Sequence, residues 1–188
     1  VLCPIGPLTN IALAMQRDPE FVKNLKRIVI MGGSLEEGGN VTPHAEANIY
    51  HDPQAADVVF GAGNKVVMVG LDVTHRILCT KEDFASIATQ SPTLGGMVQR
   101  MSEFYLSFYA SVGKFDGCSL HDPAAVIACS NPELFETRKT PVRVVCGGEE
   151  IGATVVADKG SRDAVSVCMQ VDAGAVKSLF LERLALLP

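Results

Sequence analysis

Basic clusters are missing from this chain of 188 residues, in which 16 Lys and Arg are scattered among 21 Asp and Glu for a net charge of −5. Nucleic-acid binding needs Lys and Arg gathered against phosphates, so that partner class is excluded. Long apolar runs are missing too. Hydrophobic residues make up 47% of the chain, yet none of its runs reaches the ~18 to 20 that a membrane span requires. No secretory or lipidation motif is visible. The cysteines, Cys3, Cys79, Cys118, Cys129, Cys146 and Cys168, form no C-x-x-C pair. Their scatter argues against a zinc site or a disulfide framework and for reduced thiols in a reducing compartment, with the cytoplasm as the default. No G-x-G-x-x-G joins a strand to a helix, which weighs against a dinucleotide-binding oxidoreductase. Neither repeat nor linker divides the chain, so 1–188 reads as one domain.

What is present is a succession of buried strands and helices. The runs RIVIM at 27–31 and KVVMVG at 65–70 are β-branched and apolar, as strands covered on both faces are. Thr9 and Asn10 read as capping residues of a first helix over 8–16, and Asp18-Pro19 as an N-cap with proline at N1. Asp52-Pro53 opens a helix through Phe60 after a polar loop over 34–45. Thr80 and Asp83 frame a capping box, and 97–109 is a helical stretch rich in Phe, Tyr and Met. His121-Asp122-Pro123 stands at the start of the helix AAVIAC. Strand-like runs over 142–146, 154–157 and 165–171 suggest an antiparallel extension, and a last helix spans 172–187. The class is α/β, with a mostly parallel central sheet and helices on both faces. Few central strands are present, and the first clear element is a loop and helix. The expectation is that N-terminal strands of such a sheet are missing.

Ligands in these sheets bind beyond the carboxyl ends of the strands. The polar residues there are Asn40, Glu46 and Asn48 after the first strand, Asp72, Thr74 and His75 after the second, and His121 and Asp122 before the AAVIAC helix. The set holds no serine nucleophile signature and no lysine. Two Asn and a Glu suit the vicinal hydroxyls of a ribose, an Asp is a hard oxygen ligand for Ca²⁺, and a His can protonate or hydrogen-bond a leaving group. Blander readings stand beside these. Asn40 can be a loop residue with an awkward backbone angle, Glu46 and Asn48 solvated loop residues, and Asp122 only a helix N-cap.

The strings GPLTNIALA, RIVIMGGSLEEGGNVTPHAEANIYHDPQAA, VVMVGLDVTH and SLHDPAA, in this order and spacing, resemble the inosine/uridine-preferring nucleoside hydrolase family. The resemblance runs over nearly the whole chain and is clearest through Ala125. It implies a nucleoside hydrolase-like, Rossmann-like fold and hydrolysis of the N-glycosidic bond of a ribonucleoside to ribose and free base. It implies Ca²⁺ as cofactor and a homo-oligomer, dimer or tetramer. Asn40, Glu46 and Asn48 match the family's residues for the ribose hydroxyls, and Met31 its sugar-pocket methionine. Asp122 matches a carboxylate ligand of the metal, and Ile5 a ligand acting through its backbone carbonyl, where the family usually has Thr. His121 matches the histidine that activates the departing base. Tyr105 and Tyr109 match, more loosely, an aromatic helix that closes over the base in some members. His75 reads as polar support.

Two departures stand out. Ala47 lies between Glu46 and Asn48 where the family commonly has phenylalanine, which enlarges or loosens the pocket wall. The family's aspartate cluster, D-x-D-x-x-x-D-D, supplies the general base and most carboxylate ligands, and no such string occurs in these residues. The implied reaction passes through an oxocarbenium-like transition state, with a metal-oriented water giving its proton to an aspartate. Without that aspartate the chain alone is expected to be inactive or nearly so and to bind calcium poorly. The alternative is a nucleoside- or ribose-binding pseudoenzyme.

Overall fold

A computed structural model describes residues 1–112 and 117–186. In chain order the elements are α1 (Thr9–Arg17), α2 (Phe21–Asn24), β1 (Ile28–Met31), α3 (Ala47–His51), α4 (Pro53–Phe60), β2 (Val66–Val69), α5 (Leu71–Thr74), β3 (Leu78–Cys79), α6 (Lys81–Gln90), α7 (Leu94–Val112), β4 (Cys118–Ser119), α8 (His121–Ser130), β5 (Phe135–Thr140), β6 (Val142–Val144), β7 (Thr154–Val156), β8 (Val165–Val171) and α9 (Ala173–Ala185). The last helix was expected to reach Leu187, which lies outside the described residues.

The central sheet has the order β1-β2-β8-β5. β1 and β2 are parallel, β2 and β8 are parallel, and β5 runs antiparallel to β8. Beside β1, the segment at 2–4 extends the sheet in parallel, with Leu2 donating to the Arg27 carbonyl and the Val29 and Met31 amides donating to Leu2 and Pro4.

Side chains alternate across this sheet, as strand geometry requires. On one face Ile28, Ile30, Val66, Met68, Val165 and Val167 pack with Leu8, Ile11, Val59 and Phe60. On the other face Val29, Met31, Val69 and Cys168 pack with Ala124, Ala125 and Ile127 of α8 and Val176 of α9. Burial on both faces is why these strands lack polar alternation.

Several local expectations are corrected. Thr9 does not cap α1, whose N-cap is Leu8 without a side-chain bond; its hydroxyl instead donates to the Asp52 carboxylate. Asp18 accepts from the Glu20 amide, but α2 starts at Phe21, so Pro19 precedes the helix rather than occupying N1. The late strands are not one extension. β8 lies inside the main sheet because its apolar run is covered on both sides, while β6 and β7 form a separate antiparallel pair. The charged strand β5 was not anticipated; only its end residues Phe135 and Thr140 are buried, as an edge strand allows. The Thr80–Asp83 capping box is present at α6 as expected. Gly95 lets α7 approach α6, since a Cβ there would sit 2.4 Å from the Ile87 carbonyl oxygen.

The β6–β7 pair is braced to α4. Asp57 accepts two Arg162 bonds, at 2.9 and 3.0 Å, and the Val144 amide at 2.8 Å. Burial pushes the Asp57 carboxyl up, yet the guanidinium and the amide outweigh it and hold it below its ordinary value. The stabilisation is therefore whole above the unfolded value of ~4 and is lost as pH falls through the lower folded one. Asp57→Asn is expected to flatten this part of a denaturation-versus-pH curve; an unchanged slope would contradict the brace. For the core, Phe60→Ala should cost about 3–5 kcal/mol in urea denaturation against about 1 for Thr80→Ala. A cost below about 1 for Phe60→Ala would contradict two-sided burial of the sheet.

Candidate active site

The chain leaves β1 through Gly32 and Gly33, and Gly33 takes φ +78 in a space where a Cβ would lie 2.8 Å from the Met68 methyl. A side chain is excluded there, and the turn brings the Gly33 amide to Glu46, 3.1 Å from Oε2. Glu46 is 3% exposed and is the N-cap of α3, accepting from the Asn48 amide at 3.0 Å and the Ile49 amide at 3.2 Å. It is no solvated loop residue. Burial raises its pKa against the pull of these three donors.

The neighbouring carboxamides are hydrogen-bonded too, half-buried Asn48 twice over and exposed Asn40 once. Asn48 Nδ2 donates to the Met31 carbonyl at 3.1 Å and lies 3.3 Å from its sulfur. Asn40 Oδ1 accepts from the Ala47 amide at 2.9 Å. No described non-glycine residue has a positive φ, so Asn40 is not there for an unusual backbone angle.

The start of α8 supplies the next group of residues. Its N-cap is Leu120, without a side-chain bond, and Asp122 sits in the first turn. The Asp122 carboxylate accepts no hydrogen bond among the described residues, so it is not the cap, and burial raises its pKa. His121 Nδ1 is 2.8 Å from the Thr74 hydroxyl and its Nε2 is 2.7 Å from the Tyr109 hydroxyl. The Tyr109 hydroxyl is in turn 3.4 Å from that of Tyr105. His75 meets the His121 ring edge-on at 5.7 Å. Burial, and then His75, lower the His121 pKa to about 4, so the imidazole is neutral at neutral pH. The result is a file of polar groups from buried Thr74 through His121 and Tyr109 to Tyr105.

Ile5, Met31, Asn40, Glu46, Asn48, Tyr105, His121 and Asp122 line one cleft of about 420 Å³ at the carboxyl end of the sheet. Tyr109, 7% exposed, stands behind His121. Phe84, Cys118 and Ser119 also line the cleft and were not singled out in the sequence. Thr74 was noted only for following a strand, and the partner that makes it matter is 47 residues away. Asp72, from the same group, is buried and faces the loop after β1.

The cleft lining includes the two residues expected to hold a cation, Asp122 through its carboxylate and Ile5 through its backbone carbonyl. Both are of the kind a hard cation takes, but Ca²⁺ requires ~6 to 8. Among the described residues no group of three or more His, Cys, Asp or Glu can hold a metal ion. The described residues do not by themselves make a calcium site.

A family model described as inosine-uridine preferring nucleoside hydrolase matches residues 1–178. A protein of Arabidopsis thaliana named probable uridine nucleosidase 2 is 36% identical, over 97% of this chain and 62% of its own length. A pyrimidine-specific ribonucleoside hydrolase RihA of Shewanella woodyi is also 36% identical, over 97% of this chain and 60% of its own. Among solved structures, a plant nucleoside hydrolase, the PpNRh1 enzyme, superposes with a TM-score of 0.93 at 34% identity, covering 98% of this chain and 62% of that one. A purine-preferring ribonucleoside hydrolase from Gardnerella vaginalis gives 0.92 at 34% identity, covering 97% and 59%. The chain thus spans about three-fifths of the length of these relatives. With the model match over nearly all its residues, the chain belongs to the inosine-uridine preferring nucleoside hydrolase family.

Proposed function

We propose that the cleft binds a ribonucleoside and serves hydrolysis of its N-glycosidic bond to ribose and free base. One observation carries this reading: a single cleft gathers Asn40, Glu46, Asn48 and Met31 together with His121 and Tyr105, the last two joined through the Tyr109 hydroxyl. The first group offers carboxamide and carboxylate atoms to the vicinal hydroxyls of the sugar. Fixed by its amide donors, Glu46 needs no reorganisation to accept from a hydroxyl, the kind of preorganisation that favours a charged ring in the transition state. On the base side, neutral His121 has both nitrogens engaged, so help to the leaving base passes through the Tyr109 and Tyr105 hydroxyls as hydrogen bonding rather than from an imidazolium.

Asp122 and the Ile5 carbonyl would contribute two ligands to a Ca²⁺, which when bound supplies an oriented water of lowered pKa. The further ligands and the proton-accepting aspartate do not come from the cleft residues described, and no step of this reading passes through the metal. Relatives are named for uridine, for pyrimidines and for purines, so the substrate class is ribonucleosides without a chosen base. A homo-oligomer belongs to the same reading, supported by exposed Met101, Phe104 and Phe108 along α7. So does a cytoplasmic setting, supported by the free thiols of the described cysteines.

Calorimetric titration with a ribonucleoside, paired with chromatography for released base, tests the reading. Binding is expected, weakened about tenfold or more by Glu46→Ala or Asn48→Ala, the size of one lost charged or buried hydrogen bond. The 188-residue chain alone is expected to release base at no more than background rate with Ca²⁺ present. Turnover above background that survives Asp122→Ala would overturn the assignment of the metal side. No binding of any ribonucleoside would overturn the whole.

A further inference from the structure

The loop after β1 starts around a buried carboxylate that the reaction does not use. Asp72, in the first turn of α5, is 3% exposed. Its Oδ1 accepts from the Glu36 amide at 2.7 Å and the Glu37 amide at 3.2 Å, and its Oδ2 from the Leu35 amide at 2.9 Å. The Ser34 hydroxyl is 3.5 Å from Oδ1. Three successive amides turned onto one anion form a backbone nest, and bonds to a charged acceptor are roughly twice as strong as neutral ones. Glu36 and Glu37 are themselves exposed, so their amides would otherwise face water.

Beyond this nest runs the segment that carries Asn40. Three residues after Glu37, the Asn40 amide is fixed by the Ala45 carbonyl at 3.1 Å, and the Asn40 side chain caps the Ala47 amide next to Glu46. Downstream the segment is thus held by Ala45, and upstream by Asp72. α5 also carries Thr74, whose hydroxyl meets His121. One short helix therefore fixes both sides of the cleft, with Asp72 serving the sugar side.

We propose that Asp72 is a positioning residue for ribose recognition, holding the 34–37 turn so that Asn40 is presented to the sugar hydroxyls. This rests on the ribonucleoside reading of the cleft. It requires Asp72 to act on hydroxyl recognition in particular, not only on stability.

The test compares a ribonucleoside with its 2′,3′-dideoxy analogue in calorimetric titrations of the unsubstituted protein, Asp72→Asn and the control Asp57→Asn, each below its own melting temperature. Asp72→Asn is expected to weaken ribonucleoside binding about tenfold and the dideoxy analogue less than about twofold, so that the preference between them collapses. Asp57→Asn is expected to keep that preference. Equal weakening of both ligands, or of neither, by Asp72→Asn would overturn the positioning role. If the unsubstituted protein itself shows no preference for the ribonucleoside, the ribose reading fails, and the Asp72 role with it. Should Asp72→Asn not fold, hydrogen exchange of the unsubstituted protein decides: the amides of Leu35, Glu36 and Glu37 are expected to be protected, although Glu36 and Glu37 are exposed. Exchange at the free-peptide rate would overturn the proposal.

Discussion

The Glu46 carboxylate joins the end of β1 to the start of α3, a junction that Asn48 ties a second time through the Met31 carbonyl. One oxygen takes the Gly33 amide as the strand ends, and the same carboxylate takes the Asn48 and Ile49 amides at the start of α3. Remove it and three buried or half-buried amides lose their partner, which costs about 1–3 kcal/mol for each group left unsatisfied. The loop between them, with Asn40 capping Ala47, would lose its frame. Burial opposes ionisation of this group and the donors favour it.

The polar groups around His121 are arranged on a different principle. They satisfy one another in a file, Thr74 to His121 to Tyr109 to Tyr105, and burial keeps the imidazole neutral. Such a file hydrogen-bonds without carrying charge. Asp122 is the exception, a half-buried carboxylate without a partner among the described residues, next to a cleft that contains the Ile5 segment. Glu46 is thus built into the fold by three amide donors, whereas Asp122 accepts none among the described residues.

Much of this was legible in the sequence, and the reasons are local. The strands β1 and β2 announced themselves because burial on both faces demands uninterrupted apolar residues. Helix α6 did so through its capping box, a pattern confined to four residues. The cleft residues were legible only through the ordered family strings, since singly each had a blander reading. Helix α3 was missed because its N-cap is the same glutamate that looked like a loop residue. Strand β5 was missed because an edge strand can be mostly polar and exposed, as Glu136 to Lys139 are. The parts played by Phe84 and Thr74 were missed for another reason: they depend on partners distant in the chain, and no spacing rule encodes that. Asp72 looked like a site-edge carboxylate and is instead a buried anchor, a distinction that only the amides folded around it reveal.

The central claim is an orientation, with sugar against Met31 and Asn48 and base against Tyr105. Intermolecular nuclear Overhauser contacts with a bound ribonucleoside test it most directly. Contacts from the ribose 2′ and 3′ protons to the Met31 methyl and the Asn48 side-chain amide, and from base protons to the Tyr105 and Phe84 rings, are the predicted result. Base protons against Met31 with the sugar against Tyr105, or contacts wholly outside the cleft, would contradict the account.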